Sequence, residues 1–137
     1  MGALTRVESL LGRWTQELLS IFRIFAAFTF TQHGTQKMFG FPAEARVPFE
    51  VFTRNGVTGL LEVFGGFLLL FGLFTRPVAF VLSGLMAFAY FLVHAPRGFW
   101  PLPNGGDLAV MYCFAFLYLA AAGGGKWSLD NLLRNRP

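Results

Sequence analysis

Apolar positions along this chain gather into four long runs, separated by breaks that are polar or carry proline and glycine. The runs cover about residues 18–36, 57–74, 77–95 and 108–123. Each is close to the roughly 17–25 residues that a helix needs to cross hydrocarbon. They are too long and too continuously apolar for barrel strands, and a backbone in lipid must satisfy its own hydrogen bonds, so the pattern predicts helices. The break at Leu73-Phe74-Thr75-Arg76-Pro77 predicts a tight hairpin, with Pro77 in the first turn of the new helix. Two longer breaks, 38–56 and 96–106, hold prolines and aromatics and are expected to lie over one mouth of the bundle. Ahead of the first run, Leu4, Val7, Leu10, Leu11 and Trp14 recur at helical spacing with Arg6, Glu8 and Arg13 between them. That pattern reads as an interfacial amphipathic segment rather than a cleaved signal peptide. Near the other end, Trp127-Ser128-Leu129-Asp130 predicts a short, serine-capped interfacial helix. The expected fold class is all-α: a polytopic four-transmembrane-helix bundle forming one membrane domain over residues 1–137.

Composition agrees with a chain that lives in lipid. Hydrophobic residues make up 55% of it and charged residues 13%, which excludes an ordinary soluble domain. The net charge of +4 does not point to nucleic acid, because the basic residues form no run and flank the apolar segments instead. With four crossings both termini share a side. Arg6, Arg13, Arg76, Lys126, Arg134 and Arg136 flank that side, with Arg23 just inside it, while Lys37, Arg46, Arg54 and Arg97 flank the other. This bias favours cytoplasmic termini in a bacterial inner membrane. Cys113 is the single cysteine, so it closes no internal disulfide and reads as core packing. Gly2 is followed by Arg6 where a myristoylation signal needs Ser or Thr.

Ionisable residues inside apolar runs carry the functional signal, since charge in hydrocarbon is expensive. At about 1.5 Å per residue, His33 in the first helix and Glu62 in the descending second helix both arrive about 22 Å above the cytoplasmic face. His94 and Asp107 land near the outer mouth, and Gln36 and Lys37 add donors there, with His33 and Lys37 four residues apart on one helical face. Arg23 is expected to act structurally, snorkelling toward the interface with Glu17 as its partner. Gly59, Glu62 and Gly66 share one face, with Gly65 beside them. Small residues there allow a close helix contact into which the carboxylate points. The plainer reading of Glu62 is interhelical glue, accepting hydrogen bonds from His33 or Gln36.

At these residues the chain resembles the DoxX family of small four-helix membrane proteins. The resemblance rests on Arg23, on His33-Gly34-Thr35-Gln36-Lys37-Met38-Phe39-Gly40 and on Gly59-Leu60-Leu61-Glu62-Val63-Phe64-Gly65-Gly66. It continues through Gly72-Leu73-Phe74-Thr75-Arg76 to Gly124-Gly125-Lys126-Trp127-Ser128-Leu129-Asp130. It implies a membrane subunit of a quinone-linked oxidoreductase or of a thiol and oxidative-stress complex with a protein partner. The chain shows no cysteine pair and no recognisable metal or flavin motif, so any electron carrier is expected on another subunit.

Two function classes follow. In the first, a membrane quinone meets the polar layer, with His33 and Glu62 as catalytic groups and Gln36, Lys37, His94 and Asp107 as binding groups. Phe30, Phe64, Tyr90 and Phe91 are then the aromatics available to its ring. In the second, the chain is a non-catalytic scaffold or assembly partner for an oxidoreductase. Transport is weaker, since the inner half offers no continuous polar track. The lipid-facing surfaces suit a homo-oligomer, without a diagnostic dimer motif.

Overall fold

A computed structural model describes residues 2–135, and every regular element among them is helical. The helices are α1 (Gly2–Arg13), α2 (Thr15–Phe39), α3 (Arg54–Phe71), α4 (Thr75–Ala89), α5 (Pro101–Asn104), α6 (Asp107–Ala122) and α7 (Leu129–Arg134). Arg136, counted among the flanking charges, lies outside the described residues.

Caps rather than hydropathy set the helix ends. Thr53 accepts a hydrogen bond from the Gly56 N–H at 3.1 Å, so α3 starts three residues before its apolar run. It ends at Gly72, whose left-handed φ of 68° lets its N–H turn back to the Leu68 and Leu69 carbonyls. Gly40, at φ 65°, stops α2 in the same way, three residues beyond the predicted end. The helix of α4 persists to Arg97, but through a wide turn over Tyr90–His94 and a tight one over Ala95–Arg97. Pro96 has no N–H to continue the α register, and the Ala95 N–H reaches back five residues to Tyr90.

Packing joins α2 to α3 and α4 to α6, and the two pairs meet chiefly through α3 and α4. Ala27, Phe30, Leu69, Leu82, Phe116 and Leu119 form the buried centre. The outside is apolar as well: Phe25, Phe64, Phe80, Phe88, Phe91 and Phe114 are all more than half exposed. Two helices, Arg54–Phe71 and Thr75–Arg97, are long and apolar enough to cross a membrane, and only 33% and 28% of their apolar windows are buried. Core helices of a soluble domain would bury far more, so this surface is one for lipid. α1 buries none of its residues and leaves Leu4, Leu10 and Leu11 exposed along it.

The end of the bundle that carries both termini is fastened by Arg23. Its side chain is fully buried rather than snorkelling. Nη1 donates to the Leu69 and Leu70 carbonyls at 2.6 Å each, Nε to Gly124 at 2.8 Å and Nη2 to Trp127 at 2.5 Å. The expected partner, Glu17, pairs instead with Lys126 at 2.7 Å. A cation at the free carbonyls of a helix C-terminus is favourable, and here it also ties α3 and the 124–127 turn to α2. Gly72 has to be small at this junction. A Cβ there would lie 2.5 Å from Ser128 Cβ and 2.9 Å from Arg23 Cζ. Ser128 caps α7 by accepting from the Asn131 N–H, as predicted. Asp130 accepts from the Phe74 and Thr75 N–H groups at 2.8 Å each and so caps α4 from across the chain.

Candidate functional site

At the opposite end, the polar residues of α2 and α3 gather around a glycine seam. A Cβ on Gly34 would lie 2.9 Å from Glu62 Cβ and 2.7 Å from Val63 Cγ2, and one on Gly59 would lie 3.2 Å from Lys37 Cβ. Gly66 abuts Thr31 of α2 in the same way, whereas Gly65 faces Leu82 of α4. The helices therefore approach closely with Glu62 between them. We expect Gly34→Ala to force α2 and α3 apart and to cost about 1–3 kcal/mol. Gly84→Ala, with no neighbour within 4 Å, should leave thermal unfolding of the purified protein unchanged; equal melting of both variants would contradict the seam.

Glu62 is 3% exposed, and Lys37 holds it: Nζ donates to Oε1 at 2.6 Å and to the Thr58 hydroxyl at 3.3 Å. The partner is thus neither His33 nor Gln36. His33 and Lys37 project from the same face one turn apart, and the longer side chain reaches the carboxylate. Gln36 donates instead to the Glu44 carbonyl at 3.1 Å, holding the 40–53 loop to α2. Glu62 Oε2 is buried with no hydrogen-bond partner. A buried acceptor without a donor costs about 1–3 kcal/mol, and a group left so is a candidate for contact with something else.

Glu62 lines a cavity of about 860 Å³ between the α2–α3 pair and the α4–α6 pair. His33, Gln36, Lys37 and His94 line it too, as do Phe30 and Tyr112 at its base. Its far wall is apolar, with Leu85, Met86 and Ala89 from α4 and Leu108 and Ala109 from α6. The His33 ring meets Tyr112 edge-on at 6.1 Å between centroids, and the Tyr112 hydroxyl donates to Thr29 at 2.8 Å. Asp107 opens α6, is exposed and does not line the cavity. Of the four aromatics expected near the site only Phe30 does so. Phe64 and Phe91 face outward, and Tyr90 is buried in a loop contact.

That loop contact is the part the sequence reading missed. Asn104 is 4% exposed, donates to the Gly98 carbonyl at 2.7 Å and to the Tyr90 hydroxyl at 3.3 Å, and accepts from the Gly106 N–H at 2.7 Å. The Tyr90 hydroxyl donates to the Phe99 carbonyl. His94 stacks on Tyr90, with Nδ1 3.2 Å from the Asn104 carbonyl. Asn104, which the sequence placed only somewhere in the 96–106 break, folds the 98–106 loop beside the cavity-lining His94 and Gly105. Among the described residues no three His, Cys, Asp or Glu side chains are grouped to hold a metal ion.

An all-helical chain with an apolar exterior and a polar cluster opening on an internal cavity defines a small integral membrane protein. The sequence profile of the DoxX family matches residues 18–95, and the chain belongs to that family. Two uncharacterized proteins of Haemophilus influenzae are similar to it. One is 40% identical over 132 residues, covering 88% of this chain and 94% of that protein. The other is 33% identical over 125 residues, covering 85% and 83%. No solved structure matches the chain.

Proposed function

We propose that this protein is the membrane subunit of a quinone-linked oxidoreductase or thiol and oxidative-stress redox complex, and that a membrane quinone binds in the cavity beside His33 and Glu62. The observation that carries this reading is the buried, unpartnered Oε2 of Glu62 on the wall of a cavity whose α4 and α6 lining is mostly apolar. A volume of about 860 Å³ suits a small-molecule site, and the arrangement of a few polar groups against an apolar wall suits a ring with oxygens at its edge. A bound quinone would supply two-electron chemistry, taking up two electrons and two protons to give the quinol. His33 would be placed to donate to such a ring's oxygen and Glu62 Oε2 to accept from it, so the pair would orient the ring and handle its protons. Electrons come from a partner subunit.

In this reading the chain is one membrane domain that crosses the bilayer four times, through α2, α3, α4 with its extension, and α6. Arg6, Arg13, Arg76, Lys126 and Arg134 mark the end with the termini, and Lys37, Arg46, Arg54 and Arg97 the other. That bias supports cytoplasmic termini in the bacterial inner membrane. The exposed phenylalanine belt leaves room for a homo-oligomer. One observation favours the scaffold alternative. The Lys37–Glu62 pair already joins α2 to α3 and serves as glue with or without a ligand.

Mass spectrometry of extracts from gently purified protein separates the two. Wild type should retain quinone, and both His33→Ala and Glu62→Gln should lose it while staying monodisperse. Variants that merely melt earlier, with no quinone in any sample, would leave the scaffold reading standing.

A further inference from the structure

The cavity has a second chemical character that a neutral quinone does not use. Besides Lys37, three arginines line it: Arg46 from the 40–53 loop, Arg54 at the start of α3 and Arg97 at the end of the α4 extension. Glu62 is the only carboxylate on its wall, and Lys37 already neutralises that one. Glu44, Glu50 and Asp107 belong to the same end of the molecule but do not line the cavity, and among the described residues none of the three arginines is paired with a carboxylate. Arg97 has one polar neighbour, its Nη2 lying 3.3 Å from His94 Nδ1.

Three exposed guanidinium groups on the lining of one cavity, none paired with a carboxylate among the described residues, give it a field of single sign. Guanidinium groups offer forked donors that match the oxygens of a phosphate or carboxylate. The opposite wall, meanwhile, is a continuous apolar surface. On it Phe88, Leu92 and Leu108 are exposed as well as lining the cavity, so a tail entering there would stay in contact with hydrocarbon. A ligand that satisfies both walls has an anionic head and an apolar tail.

The geometry points to this cavity as the binding site of an anionic amphiphile, with a phosphate or carboxylate head held by Arg46, Arg54 and Arg97 and its chain laid along α4 and α6. The inference goes beyond the quinone reading and does not rest on it, because the groups that carry it are the arginines and not His33 or Glu62. Two sources share this chemistry: the headgroup of an anionic membrane lipid, and a free single-chain phosphate or carboxylate.

The test is native mass spectrometry of the protein released from an uncharged detergent, titrated with dodecyl phosphate, with dodecyl maltoside as the neutral-headed control. Dodecyl phosphate should be retained at one equivalent. Arg54→Gln/Arg97→Gln should weaken its retention about tenfold or more, the loss expected for two charge-assisted contacts. Arg13→Gln/Arg134→Gln removes the same charge from the far end and should leave retention unchanged. Equal loss in the two double variants, or equal retention of the neutral control, would overturn the site. Release from nanodiscs with and without phosphatidylglycerol then tells the sources apart. A retained phosphatidylglycerol that dodecyl phosphate displaces identifies a membrane lipid. Dodecyl phosphate bound in both discs, with no lipid retained, identifies a free amphiphile. Neither species bound in either disc would overturn the proposal. None of these readouts involves quinone, so this proposal and the redox reading fail separately.

Discussion

Arg23→Met is expected to prevent recovery of folded protein from membranes. Methionine keeps most of the buried volume but strips four backbone carbonyls, those of Leu69, Leu70, Gly124 and Trp127, of their only side-chain donor. Each buried acceptor left without a donor costs about 1–3 kcal/mol. Leu69 keeps the Gly72 N–H, so three carbonyls are left bare, and together they reach into the roughly 5–15 kcal/mol that holds a domain folded. Arg23→Lys should fall between, because a single ammonium cannot match a planar fork spread over two separate segments of chain. Size-exclusion profiles and thermal unfolding in detergent check both. A monodisperse Arg23→Met protein that melts close to wild type would show that these contacts contribute little.

The second large effect is an asymmetry at the Lys37–Glu62 pair. Lys37→Met leaves a nearly fully buried carboxylate with neither oxygen partnered, and we expect a loss of about 3 kcal/mol. Lysine is 28% exposed, which keeps this estimate at the low end for a broken buried pair. Adding Glu62→Leu should restore most of the stability, because the apolar double variant removes both the charge and its desolvation cost. The four proteins form a double-mutant cycle read by denaturation. If Lys37→Met melts like wild type, the ion pair does not carry the α2–α3 contact. The double variant also separates the roles of Glu62. Restored stability with quinone still lost assigns the carboxylate to the ligand, and restored stability with quinone retained assigns it to packing.

Much of this was legible from the order of residues, and the parts that were not share a cause. Helical runs are visible because lipid demands an apolar stretch of set length, and the common level of His33 and Glu62 follows from rise per residue alone. Gly34 against Glu62 and Lys37 bonded to Glu62 place both at that level. The glycine face of α3 was readable too, because spacing fixes which residues share a side. Which partner each polar group takes was not readable. Arg23 looked like a snorkelling anchor because its true acceptors are backbone carbonyls, which any residue supplies and no local pattern reveals. Asn104 drew no reading of its own for the same reason, as its partners include the Gly98 carbonyl and the Gly106 N–H. The cavity itself is a product of how two helix pairs diverge, and only tertiary packing sets that.

The Arg23 contacts also impose an order of events during synthesis. Two of its four acceptors lie 101 and 104 residues further along the chain. While the ribosome is still making the 124–127 turn, α2 holds a cation two of whose four partners do not yet exist. Domain-sized chains emerge at only some 5–20 residues per second, so that interval lasts several seconds. Arg23 therefore gains the second half of its acceptors only once the chain has been made as far as Trp127, which ties the first crossing to the turn after the last.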